Sequence, residues 1–116
     1  MKKYIATNRV FDATHIKVEV GYLKGGLNYF TYKEEPRGVY VSVSPVTLED
    51  RPGGYQTESF TAFSGFKTCV KELKRKSDKA VQEVAAKLEP KVEQIARAWE
   101  GWGPTGAINF IRETLA

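Results

Sequence analysis

The chain has 116 residues, 41% of them hydrophobic and 28% charged, a size and balance that suit one folded domain and exclude global disorder. No apolar run of about 18 residues exists, so no membrane-spanning helix is expected, and Met1 to Arg9 lacks the apolar stretch of a signal peptide. The net charge of +4 is concentrated: between Lys67 and Lys79 lie six cations (Lys67, Lys71, Lys74, Arg75, Lys76, Lys79) against two anions, Glu72 and Asp78, and the remainder is balanced. Cys69 is the single cysteine, which rules out an internal disulfide and fits the reducing cytoplasm. One cysteine and one histidine also argue against a zinc site.

In chain order, Lys3 to Thr7 is a candidate short edge strand. Ile16, Val18, Val20 and Tyr22 alternate with Lys17, Glu19 and Gly21, the period of a half-buried strand. Lys24-Gly25-Gly26 supplies a turn, and Leu27 to Lys33 reads as the returning strand. After a turn at Glu34 to Gly38, Val39, Val41 and Val43 alternate with polar residues until Pro45 ends the strand or places it at an edge. A third turn at Asp50 to Gly54 precedes a fourth strand, Tyr55 to Phe63.

From Ser64-Gly65 the period changes. Phe66, Val70, Leu73, Ser77, Val81, Val84 and Leu88 recur at spacings of three and four, which predicts a long helix capped by Ser64. Pro90 either kinks it or opens the next helix, where Val92, Ile95, Ala96 and Trp99 continue the pattern. Gly101-Trp102-Gly103-Pro104 breaks that helix, and Ile108, Ile111 and Leu115 suggest a short final one. The expectation is a single α+β domain over 1–116: a four-stranded antiparallel meander (about 3–63), then a long basic helix and one or two more (about 65–115) covering one sheet face.

On a helix, Lys67, Lys71, Arg75 and Lys79, spaced by four, stack on one face with Lys74 beside them. Such a stripe repels itself and opposes the helix dipole, and phosphates would relieve it. The plainer reading is a solvated face compensated by Glu72 and Asp78. The sheet face opposite the helices is expected to show Lys17, Tyr29, Thr31, Lys33, Tyr40, Ser42, Ser44, Thr57 and Ser59. These residues could stack bases and touch a backbone, or simply be good strand formers facing water. Trp99 is expected in the core, and Trp102 is a candidate anchor for a partner; the two together mark a candidate partner interface.

Catalysis has little to stand on. Asp12 and His15, or Glu34 and Glu35, sit in no recognisable motif, and Cys69 reads as a small buried hydrophobe. Gly25-Gly26 and Gly53-Gly54 are turn glycines, and no phosphate-binding glycine loop or other cofactor signature is present. The expectation is a protein that is not an enzyme, with no cofactor and no metal.

The stretch from Asn28-Tyr29-Phe30 through Ser59-Phe60-Thr61-Ala62-Phe63-Ser64-Gly65 resembles small uncharacterised proteins encoded on mobile elements of gut Firmicutes, a likeness that implies no activity. By topology alone, four antiparallel strands followed by a helix is similar to single-stranded-DNA-binding transcriptional regulators of the coactivator and Whirly type, which implies oligomers that bind through the sheet. Lys76-Ser77-Asp78-Lys79-Ala80-Val81 through Ala85-Ala86-Lys87 is similar to the last helix of double-stranded-RNA-binding domains, whose basic start touches phosphates. Against that likeness, no helix precedes the strands and the helical pattern begins some ten residues earlier.

The leading expectation is a nucleic-acid-binding accessory protein of mobile-element type, for single strands. Lys67, Lys71, Lys74, Arg75 and Lys79 would meet phosphates, with Lys33, Tyr29 and Tyr40 serving the sheet. The rival is a protein-interaction module, an inhibitor or regulatory subunit, using the basic helix against an acidic partner or the Trp99–Trp102 end against an apolar groove. A homodimer whose helices pair is a third reading.

Overall fold

A computed structural model describes the chain apart from residues 11, 30, 31 and 61–64, and gives residues 8–10 and 60 as backbone only. The element order is β1 (Lys2–Val10), β2 (Ala13–Leu23), β3 (Gly26–Asn28), β4 (Lys33–Glu35), β5 (Gly38–Arg51), β6 (Tyr55–Phe60), β7 (Phe66–Glu72), α1 (Asp78–Leu88), a 3-10 turn (Glu89–Lys91) and α2 (Val92–Leu115). The α+β class stands: an antiparallel sheet followed by a long helical run. No helix is long and apolar enough to cross a membrane among the described residues.

The sheet has five strands, ordered β1-β2-β5-β6 with β7 also on β5. Val46 pairs with His15 of β2 and with Phe60 of β6, so β6 lies on the edge of β5 opposite β2. β7 pairs with 38–43, which β2 also flanks, so it shares that edge. Phe60 pairs with Val46 and Phe66 with Val43, so β6 ends and β7 begins within three residues of each other along β5. β6 and β7 thus occupy successive stretches of the same edge of β5, and the sheet is a meander of four lanes.

Two lanes differ from those expected. The edge strand at the N-terminus is a full nine-residue lane, and Leu27 to Lys33 is not a lane at all. β3 and β4 pair only with each other, forming a small arm between β2 and β5. Its loop closes with the Tyr32 N–H donating to the Asn28 carbonyl at 2.7 Å.

The larger correction concerns 66–72, which is strand and not the first turns of a helix. Phe66 and Val70 are four apart, a spacing that fits the helical period and is also a multiple of two. Thr68 between them decides: Phe66 and Thr68 lie opposite Val43 and Val41, on the face that packs on the helices. Pairing satisfies an edge of valine-rich β5 that would otherwise be unpaired. The helix starts instead at Asp78, with the Ser77 hydroxyl accepting from the Ala80 N–H at 3.2 Å. Ser64, the expected cap, and the strand end at 61–63 lie outside the described residues. Ser77→Ala is expected to cost about 1 kcal/mol, read as a lower denaturation midpoint.

The core forms between one sheet face and the helices. Ile16, Val18 and Val20 of β2 and Val39, Val41 and Val43 of β5 meet Val84, Leu88, Ile95, Trp99 and Ile111. Pro90 sits in the 3-10 turn, through which the helical run continues into α2. Gly103 breaks α2 with φ 66° and ψ −158°, a left-handed backbone that glycine adopts without a side-chain clash, and Pro104 opens the following segment.

Candidate functional site

The chain places its cations in different surroundings, and the expected single stripe does not form. Lys67 pairs with Ser42 on the sheet face away from the helices. A register shift between the Tyr40–Cys69 and Val39–Lys71 pairs then turns Lys71 to the helix side, where its Nζ lies 4.0 Å from Glu83 Oε2. Lys79 lies in the first turn of α1, and Lys74 and Arg75 lie in the connection between sheet and helix. Stacking at intervals of four requires a continuous helix, and β7 is not one.

A different cluster appears where β7 leaves the sheet. Gly38, the first residue of β5, pairs with Glu72, so the arm and the β7–α1 connection meet at one corner. The Leu73 N–H donates to the Arg37 carbonyl at 2.9 Å, and Arg37 Nη1 donates to the Lys74 carbonyl at 3.2 Å. A Cβ on Gly38 would stand 2.0 Å from the Lys71 carbonyl oxygen, so only glycine allows the backbones to close there. Arg37, Lys74, Arg75 and Lys76 are all exposed, and none of them forms an ion pair among the described residues. Pro36, Arg37, Glu72, Leu73 and Lys74 line an open hollow of about 420 Å³ at this corner. The sequence carried a signal for part of it, the Lys74-Arg75-Lys76 run; Arg37 joins only through the tertiary fold.

The arm projects from the same corner. Tyr29 is 78% exposed and Tyr32 81%, with Leu27 half-exposed beside them. Lys33 is exposed at the start of β4, opposite Asn28, whose Nδ2 donates to Glu35 Oε1 at 3.0 Å. Thr31 lies outside the described residues.

Tyr40 is not the exposed ring expected of a base-stacking residue. It is 5% exposed, its hydroxyl donates to the Pro36 carbonyl, and burial raises its pKa. Thr57 and Ser59 pair with Glu49 and Thr47, whose parity along β5 puts them on the face opposite Ser42 and Ser44. Lys17, Ser42 and Ser44 do share the outer face, since Lys17 pairs with Ser44 and Glu19 with Ser42. That face is internally satisfied around Glu58: Lys17 Nζ lies 2.6 Å from Oε1, and the Tyr4 hydroxyl donates to Oε2 at 2.7 Å.

Burial alone would raise the Glu58 pKa, but the hydrogen bonds from Lys17 and Tyr4 and the Lys17 charge outweigh it and hold the carboxyl below its ordinary value. A depressed folded value contributes stability that is present above the unfolded pKa of about 4.3 and is lost as pH falls through the folded one. Glu58→Gln is therefore expected to flatten the acid limb of a plot of melting temperature against pH.

Trp99 and Trp102 part company. Trp99 is 3% exposed and stacks on Phe66 with ring centres 5.7 Å apart, so it cannot join a partner interface. Trp102 stands 83% exposed just before the helix break. Comparison with family models, curated proteins and solved structures finds no match.

Proposed function

We propose that the protein is a nucleic-acid-binding accessory protein of mobile-element type, acting in the cytoplasm and holding phosphates at the corner formed by Arg37, Lys74, Arg75 and Lys76. The observation that carries this reading is the absence of any ion pair at these four cations among the described residues, at a corner held by backbone hydrogen bonds. Adjacent unpaired cations raise the local positive potential, and the N-terminus of α1 immediately after them adds to it. A polyanion relieves both. Lys79 in the first turn of α1 follows the corner and Lys33 stands on the arm, whereas Lys67 and Lys71 contribute less, one on the outer sheet face and one beside Glu83.

The start of α1 at Asp78 also removes one objection to the likeness with double-stranded-RNA-binding domains, since the helix now begins directly after the basic run instead of some ten residues before it. Among the described residues the first element is β1, a strand. Binding of nuclease-treated protein to fluorescent oligonucleotides at two salt concentrations tests the proposal. Micromolar affinity that falls steeply with salt supports it, because each phosphate contact releases counterions. No binding at low salt retires it.

A second reading, a protein-interaction module, is favoured by Trp102, whose exposed ring is the kind of anchor that interfaces use. An acidic partner at the basic corner belongs to the same reading. Co-purifying nucleic acid, seen as raised absorbance at 260 nm over 280 nm, separates the two (about 260 and 280 nm being the nucleic-acid and aromatic bands). Light scattering tests for a homodimer.

A further inference from the structure

We infer that the β3–β4 arm selects single strands, with Tyr29 and Tyr32 stacking on unpaired bases while the corner holds the backbone; this rests on the nucleic-acid reading above. Three observations converge on the arm. Its strands are three residues each and pair only with each other, so the arm is not part of the core sheet. Its two described loop residues are both tyrosines, and both rings stand in solvent. Tyr32 also holds φ at 55°, a backbone region where glycine or asparagine is the usual occupant. A ring that is 81% exposed gains almost nothing from burial to offset that conformation. Backbone strain without packing to justify it points to a use for the side chain.

The arm's position supplies the charge complementarity. β4 ends at Glu35, and two residues on, the Arg37 guanidinium reaches the Lys74 carbonyl, so the base of the arm and the basic connection meet at one corner. Six residues from Lys24 to Tyr29 span at most about 20 Å, within the reach of a site a few nucleotides long. In a duplex both faces of each base are already stacked on neighbours, so an exposed tyrosine finds no open face. In a single strand every base offers one.

The test uses the whole protein and three variants: Tyr29→Ala/Tyr32→Ala, Tyr29→Phe/Tyr32→Phe, and Lys74→Glu/Arg75→Glu/Lys76→Glu. Each is titrated against a fluorescent oligothymidylate, an oligouridylate, a duplex of the same length and an abasic oligonucleotide. Wild-type protein is expected to prefer either single strand over the duplex. The alanine pair should lose about 10-fold or more for the single strands, as loss of stacking implies. Its salt slope should not change, since no phosphate contact is lost. The phenylalanine pair should bind like wild type, and the abasic strand should be indifferent to all tyrosine changes. An unchanged melting temperature is expected for both tyrosine pairs, because the rings are exposed.

Equal affinity of the alanine pair and wild type for single strands would overturn the inference while leaving the corner's role intact, provided the charge reversal still abolishes binding. Equal wild-type affinity for strand and duplex, or loss of binding by the phenylalanine pair, would also overturn it. Wild-type protein that binds none of the four probes would sink both the inference and the reading beneath it.

Discussion

Trp99→Ala is expected to lower the stability of the protein by about 3–5 kcal/mol, whereas Trp102→Ala should change it by less than about 0.5 kcal/mol. Both residues lie in α2, three positions apart, and both are tryptophan; what separates them is what they touch. Trp99 is buried among Ile95, Ala96 and the sheet valines, and its stack on Phe66 ties α2 to β7. Removing it opens a cavity at the joint between the two layers, and a domain of this size has only about 5–15 kcal/mol in total. Trp102 projects into solvent, so its truncation removes little packing. Urea denaturation of the two variants checks this directly. A Trp102 variant as damaged as the Trp99 variant would mean that Trp102 is covered in solution.

Charge reversal at the corner is expected to be the largest functional effect. Lys74→Glu/Arg75→Glu/Lys76→Glu should reduce affinity for a single strand by about two orders of magnitude or more. The slope of log affinity against log salt should fall by about 2, since each phosphate contact to a single strand contributes about 0.7. Stability should be nearly unchanged, because these side chains are exposed and unpaired among the described residues. By contrast, Lys71→Glu places an anion near Glu83 and should act more through local repulsion than through lost binding. If Lys71 proved more important than the triple variant, the binding surface would lie along α1 and β7 instead.

The residues also show where local pattern suffices and where it does not. The alternation of Ile16, Val18 and Val20, and of Val39, Val41 and Val43, marks two central strands, and they form as read because one buried face demands that period. The helical period from Val81 onward was equally legible, as was a break within Gly101-Trp102-Gly103-Pro104, which falls at Gly103. Phe66 to Glu72 was not, because two apolar residues four apart satisfy both periods and the deciding partner, β5, is distant in sequence. Leu27 to Lys33 failed for another reason. Its centre is rich in β-prone Tyr, Phe and Thr, yet the chain turns within it, at a loop whose closing hydrogen bond runs from the Tyr32 N–H to the Asn28 carbonyl.

The candidate site inherits these differences. The exposure of Tyr32 was not expected, because a strand over Leu27 to Lys33 turns it to the face opposite Tyr29. The basic run at Lys74 to Lys76 and Tyr29 can be found by reading along the chain, since composition is local. Their meeting at one corner cannot. It depends on a close approach of Gly38 to β7 and on Arg37 reaching Lys74. Sequence by itself determined the α+β class, the buried valine faces of the two central strands and the location of the positive charge, because hydrophobic period and charge are properties of neighbouring residues. Only the tertiary structure decided that 66–72 is a strand, that Lys67 and Lys71 face opposite sides, and that the arm stands beside the basic loop. Those outcomes are set by pairing across β5, where a single shift in register turns a side chain from one face of the sheet to the other.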